Sequence, residues 1–294
     1  MKLEPECIGC LFDQILNALK LLKPDISREK IIFAQKKFIK SLIDLDIENK
    51  AAPMLGKIAY SIVAEVLGEE DPYYSLKGKY NRLALQYYEE VMNIIENSED
   101  PLLEAIFVAA IGNTVDFASQ HKIDLISDIR NFKKEDLFLN DYTSFKQSLN
   151  KSNHLLIIGD NSGEIVFDKL LIKTILDLYP DMQIIYSVRS VPIVNDATIE
   201  DAKYIGLTDL VEIVESGSIP GVDITTSPKE FKKHFYHKGG VILSKGQGNF
   251  ECLYGMEIPD KDLYYLLKVK CKLMERIFNA KIGNLIFKKK IKNF

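Results

Sequence analysis

The segment HLLIIGDNSGEIVFD, at residues 154–168, decides the fold of this chain. It opens with a short apolar run that ends at Gly159, which is typical of a strand buried on both faces of a parallel sheet. An acid and an amide, Asp160 and Asn161, follow at once, and a helix is predicted over residues 163–178. The segment therefore predicts a strand–turn–helix unit with polar groups at its turn.

Strands and helices alternate from this segment onward. Further strands are predicted at residues 183–188, 211–214, 241–243 and 264–269, and further helices at 196–205 and 228–236. Such alternation predicts an α/β fold with a Rossmann-like, mainly parallel sheet flanked by helices. Ligands of these sheets bind at the carboxyl ends of the strands, so the polar residues there are the candidates for function.

The first half of the chain has a different texture. Apolar residues recur at three- and four-residue spacing, which predicts amphipathic helices. These helices are expected over residues 8–22, 27–44 and 51–67, with further helix starts at the Asp-Pro pairs 71–72 and 100–101. We divide the chain into an all-helical domain, residues 1–150, and a Rossmann-like α/β domain, residues 151–294, that carries the site.

Composition excludes several classes of partner. The 294 residues carry a net charge of −4, so no overall basic field favours nucleic acid. No stretch approaches the roughly 20 apolar residues that span a bilayer, and the first residues do not resemble a secretory signal. We therefore expect a cytoplasmic protein with reduced thiols and no membrane partner. The basic residues 288–292 are expected to form a solvated tail.

Acidic and amide side chains follow the first two strands of this half. Asp160 and Asn161 offer oxygen ligands that suit a hard divalent cation, and the next helix start can accept a phosphate. Asp196 follows Asp160 by 36 residues, about one strand–helix–strand unit. Adjacent parallel strands would bring the two carboxylates together. Each of these residues taken alone could equally cap a helix.

Two cations also lie at predicted strand ends. Arg189 leaves the second strand, where its fork of donors could bind a phosphate oxygen. Lys245 stands between a strand and the turn of Gly246 and Gly248, whose backbone N–H groups could converge on the same anion. The order of residues is not that of a Walker P-loop.

One helical segment carries a further polar pair. Asn113 and Asp116 are three residues apart in an otherwise apolar stretch, so they share one face of a helix. Polar groups in such a setting are paired or functional. An interhelical hydrogen bond and a place in the site both remain open.

Several stretches together match one known family in the right order. They are GDNSGEIVFD at 159–168, RSVPIVNDAT at 189–198, SKGQGNFE at 244–251, DPL at 100–102, GNTVD at 112–116 and LKVKC at 267–271. The chain resembles the damage-control phosphatases, and its Cys7-x-x-Cys10 resembles their archaeal and bacterial branch. The resemblance implies hydrolysis of phosphate monoesters with a bound Mn²⁺, Co²⁺, Ni²⁺ or Mg²⁺. It implies small phosphorylated metabolites as substrates, either sugar phosphates or phosphopantetheine-type compounds.

The resemblance also implies which residues hold the metal ion. The family's metal ligands correspond to Asp160, Asn161 and Asp196, which with Lys245 are the expected catalytic group. The expected substrate-binding residues are Arg189, Asn113, Asp116, Glu164, Asn195, Gly246 and Gly248. Our hypothesis is that a metal-activated water attacks phosphorus, while Asp160 as a nucleophile stays open.

Two other functions remain as alternatives. An S-adenosylmethionine-dependent carboxyl methyltransferase would need an acid at the end of the second strand, where Arg189 stands instead. A non-catalytic metal- or metabolite-binding protein would bind a cation without turnover. The sequence leaves open whether the chain forms a homo-oligomer.

The cysteines and histidines give weaker signals. Cys7-x-x-Cys10 could be half a zinc site, a redox pair or a disulfide at a helix start. The four histidines show no metal-ligand spacing. His234 and His237 are expected to lie in solvent on a surface helix.

Overall fold

The computed structural model describes residues 1–43, 45–112, 130–131, 137–258 and 260–290. The first part is helical, as the apolar spacing predicts. Its helices are α1 (Pro5–Leu22), α2 (Arg28–Ile43), α3 (Ala52–Leu67), α4 (Tyr74–Leu85), α5 (Tyr88–Glu96) and α6 (Pro101–Ile111). Asp100 caps α6, because its side chain accepts a hydrogen bond from the Leu103 N–H.

Strands and helices then alternate. The strands are β1 (Leu137–Asn140), β2 (His154–Ile158), β3 (Gln183–Val188), β4 (Glu212–Glu215), β5 (Val241–Lys245), β6 (Asp262–Lys268) and β7 (Leu285–Lys289). The helices among them are α7 (Tyr142–Leu149), α8 (Glu164–Leu178), α9 (Ile199–Tyr204), α10 (Lys229–Phe235), α11 (Gln247–Leu253) and α12 (Lys272–Phe278). Across the described ranges, every helix is too short or too polar to cross a membrane.

The seven strands form one sheet in the order β1-β7-β6-β5-β2-β3-β4. Strands β2 to β6 run parallel, while β7 is antiparallel to β6, and β1 is parallel to β7. The predicted Rossmann-like, mainly parallel sheet is therefore confirmed. Strand β1 precedes residue 150 and still joins the sheet. The division into two domains at that point remains a prediction.

Strand β2 is buried on both faces, as its apolar run predicts. Leu155 and Ile157 pack into a core with α6 and α8, whereas Leu156 and Ile158 pack into a core with α10, α11 and α12. A third core joins α1, α2 and α3. The sheet is thus packed on both faces. Its carboxyl edge, where the parallel strands end, is supported by both cores.

The structure differs from the sequence prediction at several helix and strand ends, and α4, for example, begins at Tyr74 and not at Pro72. Helix α9 begins at Ile199 and not at Asp196, because Thr198 and Asp201 form a capping box that starts it later. Residues 288 and 289 were expected in a solvated tail, which is wrong. Both belong to β7, where Lys288 pairs with Asp141 at 3.0 Å and Lys289 pairs with Asp262 at 2.8 Å.

Candidate functional site

Three neighbouring strands, β5, β2 and β3, deliver the predicted site residues to one edge of the sheet. The turn after β2 and the segment after β3 are held together, because Asn161 and Asp196 form an isolated antiparallel bridge. The Ala197 N–H also donates to the Asp160 carbonyl oxygen at 2.8 Å. Asp160, Asn161 and Asp196 therefore lie side by side, as the spacing of the two acids predicts.

Helix capping does not explain these acids. Gly163 is the N-cap of α8, and Thr198 is the N-cap of α9. The Ser162 hydroxyl donates to Asp201 Oδ1 at 3.0 Å instead of capping α8. Neither Asp160 nor Asp196 is therefore the N-cap of the helix that follows it.

Arg189 is buried between the two acids and the next strand. Its Nε donates to Asp196 Oδ2 at 2.6 Å, its Nη1 to Ser216 Oγ at 3.1 Å and its Nη2 to Asn249 Oδ1 at 3.0 Å. Nη2 also lies 4.0 Å from Asp160 Oδ1. The guanidinium thus orients the carboxylates of the site, and its predicted contact with substrate stays a prediction.

Lys245 is buried as well, and it contacts acids of α8. Its ammonium group pairs with Asp168 and lies 3.8 Å from Glu164 Oε2. Burial opposes the charge of Lys245, but Asp168 and Glu164 outweigh burial and raise its pKa. The second oxygen of Asp168 accepts the Tyr186 hydroxyl at 2.7 Å. Lys245 therefore neutralises the acids under the site, and a direct contact with substrate stays a prediction.

Asn161 and Glu164 complete the group around Asp160. The Asn161 Nδ2 donates to Asp160 Oδ2 at 3.1 Å and to Glu164 Oε1 at 2.7 Å, which leaves Asn161 Oδ1 as a ligand atom. The other oxygen of Glu164, Oε2, is buried without a hydrogen-bond partner among the described residues. A buried acceptor in this state is costly unless a cation or donor reaches it.

The acids of the site crowd one another. Burial and then the charge of Asp160 raise the pKa of Glu164 to about 8. Burial also raises the pKa of Asp196 to about 7, with Arg189 opposing and Asp160 adding to the shift. Four carboxyl groups, those of Asp160, Glu164, Asp168 and Asp196, thus share two buried cations. A further positive ion would take the place of the protons that this crowding favours on Glu164 and Asp196.

The turn after β5 requires glycine at both Gly246 and Gly248, for different reasons. Gly246 has a φ of +77°, and a Cβ there would lie 2.0 Å from Asp160 Oδ2. Its N–H donates to the Leu266 carbonyl at 3.0 Å. This N–H is therefore already bonded within the protein, and the expectation that it binds an anion is wrong. A Cβ at Gly248 would lie 2.2 Å from the Pro220 carbonyl oxygen. The first glycine makes room for Asp160, and the second allows close backbone packing.

The loop before Asp196 is strained. Val194, a β-branched residue, has a φ of +48°, where such residues are rarely found. It packs against the core of α1, α2 and α3. The next residue, Asn195, accepts the Ser162 N–H with its carbonyl oxygen at 2.8 Å. Contacts on both sides therefore hold the backbone that presents Asp196.

A cavity of about 510 Å³ lies above this cluster, between the sheet edge and the N-terminal helices. Asp160, Asn161, Asn195 and Asp196 form part of its floor, with Gly248 at one side. Its remaining lining residues come chiefly from α1, α3 and the segment before α12: Cys7, Cys10, Gln14, Gly56, Tyr60, Lys270 and Cys271. The N-terminal helices thus form one wall of the candidate site. All four cysteines are free thiols.

Some site residues escaped the sequence prediction. Lys270 is an exposed cation at the cavity wall, and the sequence assigned it no role beyond its place in the motif LKVKC. Asn249 is fully buried and ties the site together, donating to the Gly159 carbonyl at 2.9 Å and to the Lys245 carbonyl at 2.7 Å. Both lie in stretches that the motif matches had already marked. The predicted Asn113 and Asp116 lie outside the described residues.

A second group of titratable side chains lies at the opposite edge of the sheet. His234 is buried, so its expected solvation is wrong. One ligand atom from each of Glu212, Glu230 and His234 lies within 4.8 Å of the others. Glu212, Glu230 and His234 are therefore a candidate acidic/His metal site, which the sequence prediction did not identify.

The fold and the acidic cluster at the ends of β2 and β3 together indicate the class of protein, a doubly wound α/β protein with a ligand site at the carboxyl ends of its strands. Strand order reverses between β5 and β2, and Asp160 and Lys245 stand at this switch point, where doubly wound α/β proteins bind ligands. The sequence matches the model of the damage-control phosphatase ARMT1-like domain over residues 3–286. The chain belongs to this damage-control phosphatase family, which confirms the resemblance.

Similar proteins come from three archaea. A damage-control phosphatase of Pyrococcus horikoshii is 31% identical over 291 residues, covering 97% of each chain. One of Archaeoglobus fulgidus is 31% identical over 299 residues, covering 98% of this chain and 99% of the relative. An uncharacterized protein of Methanocaldococcus jannaschii is 30% identical over 301 residues, covering 99% and 96%.

A solved structure has the same fold. The crystal structure of a DUF89 family protein from Pyrococcus horikoshii superposes with a TM-score of 0.84 at 28% identity, covering 99% of this chain and 100% of that one. The match confirms the α/β fold with its helical N-terminal region. The family membership supports a phosphatase function for this chain.

Proposed function

We propose that this chain hydrolyses phosphate monoesters of small metabolites and holds a divalent cation with Asp160, Asn161 and Asp196. One observation carries the proposal. Two carboxylates and an amide, delivered by two adjacent strand ends, lie together on the floor of a cavity of about 510 Å³. Oxygen donors of this kind are the ligands that hard divalent cations prefer.

The residues present fit such a cation. Four carboxyl groups face two buried cations, so a divalent ion would balance the charge of the cluster if all six were ionised. Glu164 Oε2 has no hydrogen-bond partner in the described part of the chain, and the absence of a side chain at Gly246 makes room for the Asp160 carboxylate. Mn²⁺, Co²⁺, Ni²⁺ and Mg²⁺ all accept this donor set. A bound ion of this kind supplies a Lewis acid that offsets phosphoryl charge and lowers the pKa of water.

The surrounding residues act on position and charge. Arg189 fixes the carboxylate of Asp196 through a bond of 2.6 Å, and Asn161 bridges Asp160 and Glu164. Lys245 compensates the acids of α8 from below. Lys270, which is exposed at the cavity wall, attracts an anionic substrate to the cavity.

The cavity suits a small substrate. Its volume lies within the roughly 300–1,000 Å³ of small-molecule sites. A sugar phosphate or a phosphopantetheine-type compound fits this range. Its phosphate group would bind the divalent cation on the acidic floor, and Lys270 would offset part of its negative charge. Such substrates agree with a cytoplasmic protein.

We further propose water, and not Asp160, as the attacking group. Phosphatases that form an aspartyl-phosphate usually carry a second aspartate two residues after the nucleophile. Here that place holds Ser162, whose hydroxyl is committed to Asp201 at 3.0 Å. The stereochemical course at a chiral, oxygen-isotope-labelled phosphoryl group tests this: a single attack by water should invert the configuration at phosphorus, whereas net retention, which two successive displacements through Asp160 give, would contradict it.

The experiment for the proposed function is a phosphatase panel run with several divalent cations. We expect metal-dependent turnover by the wild-type protein and a loss of at least a hundredfold in Asp196→Ala. Glu215→Gln, which removes an exposed carboxylate from β4, is the matched control and should keep full activity. Equal activity of the wild type and Asp196→Ala would overturn the assignment. Cation binding without turnover on any substrate would favour a non-catalytic binding protein.

A further inference from the structure

The amino edge of the sheet carries a group of side chains that the proposed phosphatase reaction does not use. Glu212 begins β4, while Glu230 and His234 lie one turn apart on α10. His234 Nε2 lies 3.3 Å from Glu212 Oε1 and 3.4 Å from Glu230 Oε1. One nitrogen and two carboxylate oxygens therefore converge on a common point between strand and helix.

His234 is the member that points to a ligand. Its side chain is only 4% exposed, yet its Nε2 makes no hydrogen bond within the described ranges. Two carboxylate oxygens lie near it without hydrogen-bond geometry. A buried ring nitrogen left in this state is unfavourable, whereas an ion between the nitrogen and the two carboxylates would satisfy all three.

The other nitrogen of His234 is held by a second histidine. His234 Nδ1 lies 3.1 Å from His154 Nε2, and the ring of His154 stacks on His237 at 4.0 Å between centroids. A hydrogen bond from Nδ1–H to His154 leaves the lone pair of His234 on Nε2, which faces the two acids. Metal-binding histidines are oriented in this way by a partner on the ring nitrogen that does not bind the metal.

We propose that Glu212, Glu230 and His234 bind a divalent cation of the borderline class, such as Zn²⁺, separate from the cavity of the phosphatase site. Imidazole nitrogen with carboxylate oxygen is a donor set that suits such ions. The carboxylates are 43% and 55% exposed, so water completes the coordination.

The ion has a structural purpose. It links α10 to β4, the last strand of the sheet. This link would stabilise β4, which pairs with a neighbouring strand on one side only. Lys233 competes for the site, because its Nζ lies 2.6 Å from Glu230 Oε1. Its side chain is 67% exposed and can turn into solvent when the cation binds.

The test is a Zn²⁺ titration of the full chain by calorimetry, in the background Cys7→Ser/Cys10→Ser/Asp160→Asn/Asp196→Asn. That background removes both aspartate ligands and two of the thiols that line the cavity, so the result does not depend on the proposed phosphatase function. We expect one Zn²⁺ per chain, and at least a tenfold loss of affinity when Glu230→Gln is added. Glu215→Gln, an equally exposed acid on the same strand, is the matched control and should leave the affinity unchanged.

Two results would overturn the proposal. One is an absence of stoichiometric Zn²⁺ binding in that background, and the other is equal affinity with and without Glu230→Gln, which would mark the ion as adventitious. His154→Gln gives a second readout, because a positioning residue should weaken binding by about 10- to 100-fold while one ion per chain is retained. Unchanged affinity in that variant would contradict the assigned arrangement. Glu230 is exposed, so the central comparison does not depend on a variant that disrupts the core.

Discussion

The two edges of the sheet collect acidic side chains in opposite ways. At the carboxyl edge, Asp196, Glu164 and Asp168 are buried, and two buried cations accompany them. At the amino edge, the acids Glu212 and Glu230 are exposed and only His234 is buried. Charge at the first edge is therefore compensated inside the protein, while charge at the second is largely compensated by water.

This difference has an energetic consequence. A buried acid without its cation is costly, so residues of the carboxyl edge are coupled to the stability of the fold. An exposed acid loses little when its partner is removed. Substitutions at the carboxyl edge should therefore change stability and activity together, whereas substitutions of exposed charges should change at most one of them.

The largest effect is expected for Lys245→Met. The change leaves Asp168 and Glu164 buried without their cation, which should lower the free energy of unfolding by about 3–5 kcal/mol and abolish activity. Chemical denaturation measures the loss. Lys245→Met/Asp168→Asn removes one of the stranded charges and should recover part of the stability but none of the activity. A Lys245→Met protein as stable as the wild type would break the contrast between the two edges.

The second effect concerns Gly246→Ala. The substitution combines a φ of +77° with a Cβ only 2.0 Å from Asp160 Oδ2, so it should displace that carboxylate. Gly255→Ala is a matched control, because Gly255 has a φ of +76° and a Cβ there meets nothing within 4 Å. Both variants should lose about 1–2 kcal/mol from backbone strain. Only Gly246→Ala should also lose cation binding and activity, and equal activity of the two variants would contradict the assignment of Asp160.

Sequence patterns predicted the elements that a local signal defines. The run before Gly159 and the strand at 183–188 were predicted with correct bounds, because burial on both faces requires continuous apolar residues. The start of α9 was predicted too early, although Thr198-x-x-Asp201 is itself a capping-box signal. Strand β7 was missed, because its lysines pair with acids on other elements and resemble a solvated tail.

The sequence predicted which residues belong to the site better than it predicted the contacts that these residues make. Consecutive strand ends marked Asp160, Asp196, Arg189 and Lys245, since parallel strands share one carboxyl edge. The burial of Arg189 and Lys245 depends on tertiary partners such as Asn249, and local sequence does not encode it. The cluster around His234 was invisible for the same reason. Glu230 and His234 are four residues apart on α10, but Glu212 comes to them only through the packing of β4 against that helix.

A third prediction uses another buried acid of the cavity wall. Burial raises the pKa of Glu251 to about 7, against the hydrogen bond that Gln247 donates at 2.7 Å. The folded protein thus binds this proton more tightly than the unfolded chain, so the stabilising contribution is complete below pH 4.5 and is lost as pH rises through 7. Glu251→Gln should be more stable than the wild type by about 1–2 kcal/mol at pH 8, and the difference should shrink towards pH 5. Thermal or chemical unfolding across this range measures it, and a difference independent of pH would contradict it.

The smallest effect is expected for Lys270→Ala, and it tests whether an exposed charge acts on substrate alone. Lys270 is exposed at the cavity wall, so its loss should leave the free energy of unfolding unchanged. An exposed attraction to a substrate phosphate is worth about 1 kcal/mol, which corresponds to a rise in KM of about fivefold with kcat nearly constant. Lys238→Ala removes an equally exposed lysine near the amino edge and should change neither constant. A fall in kcat for Lys270→Ala at unchanged KM would mean that this lysine contacts the reacting phosphoryl group. The catalytic site would then include a lysine whose ammonium group is exposed to water when no substrate is bound.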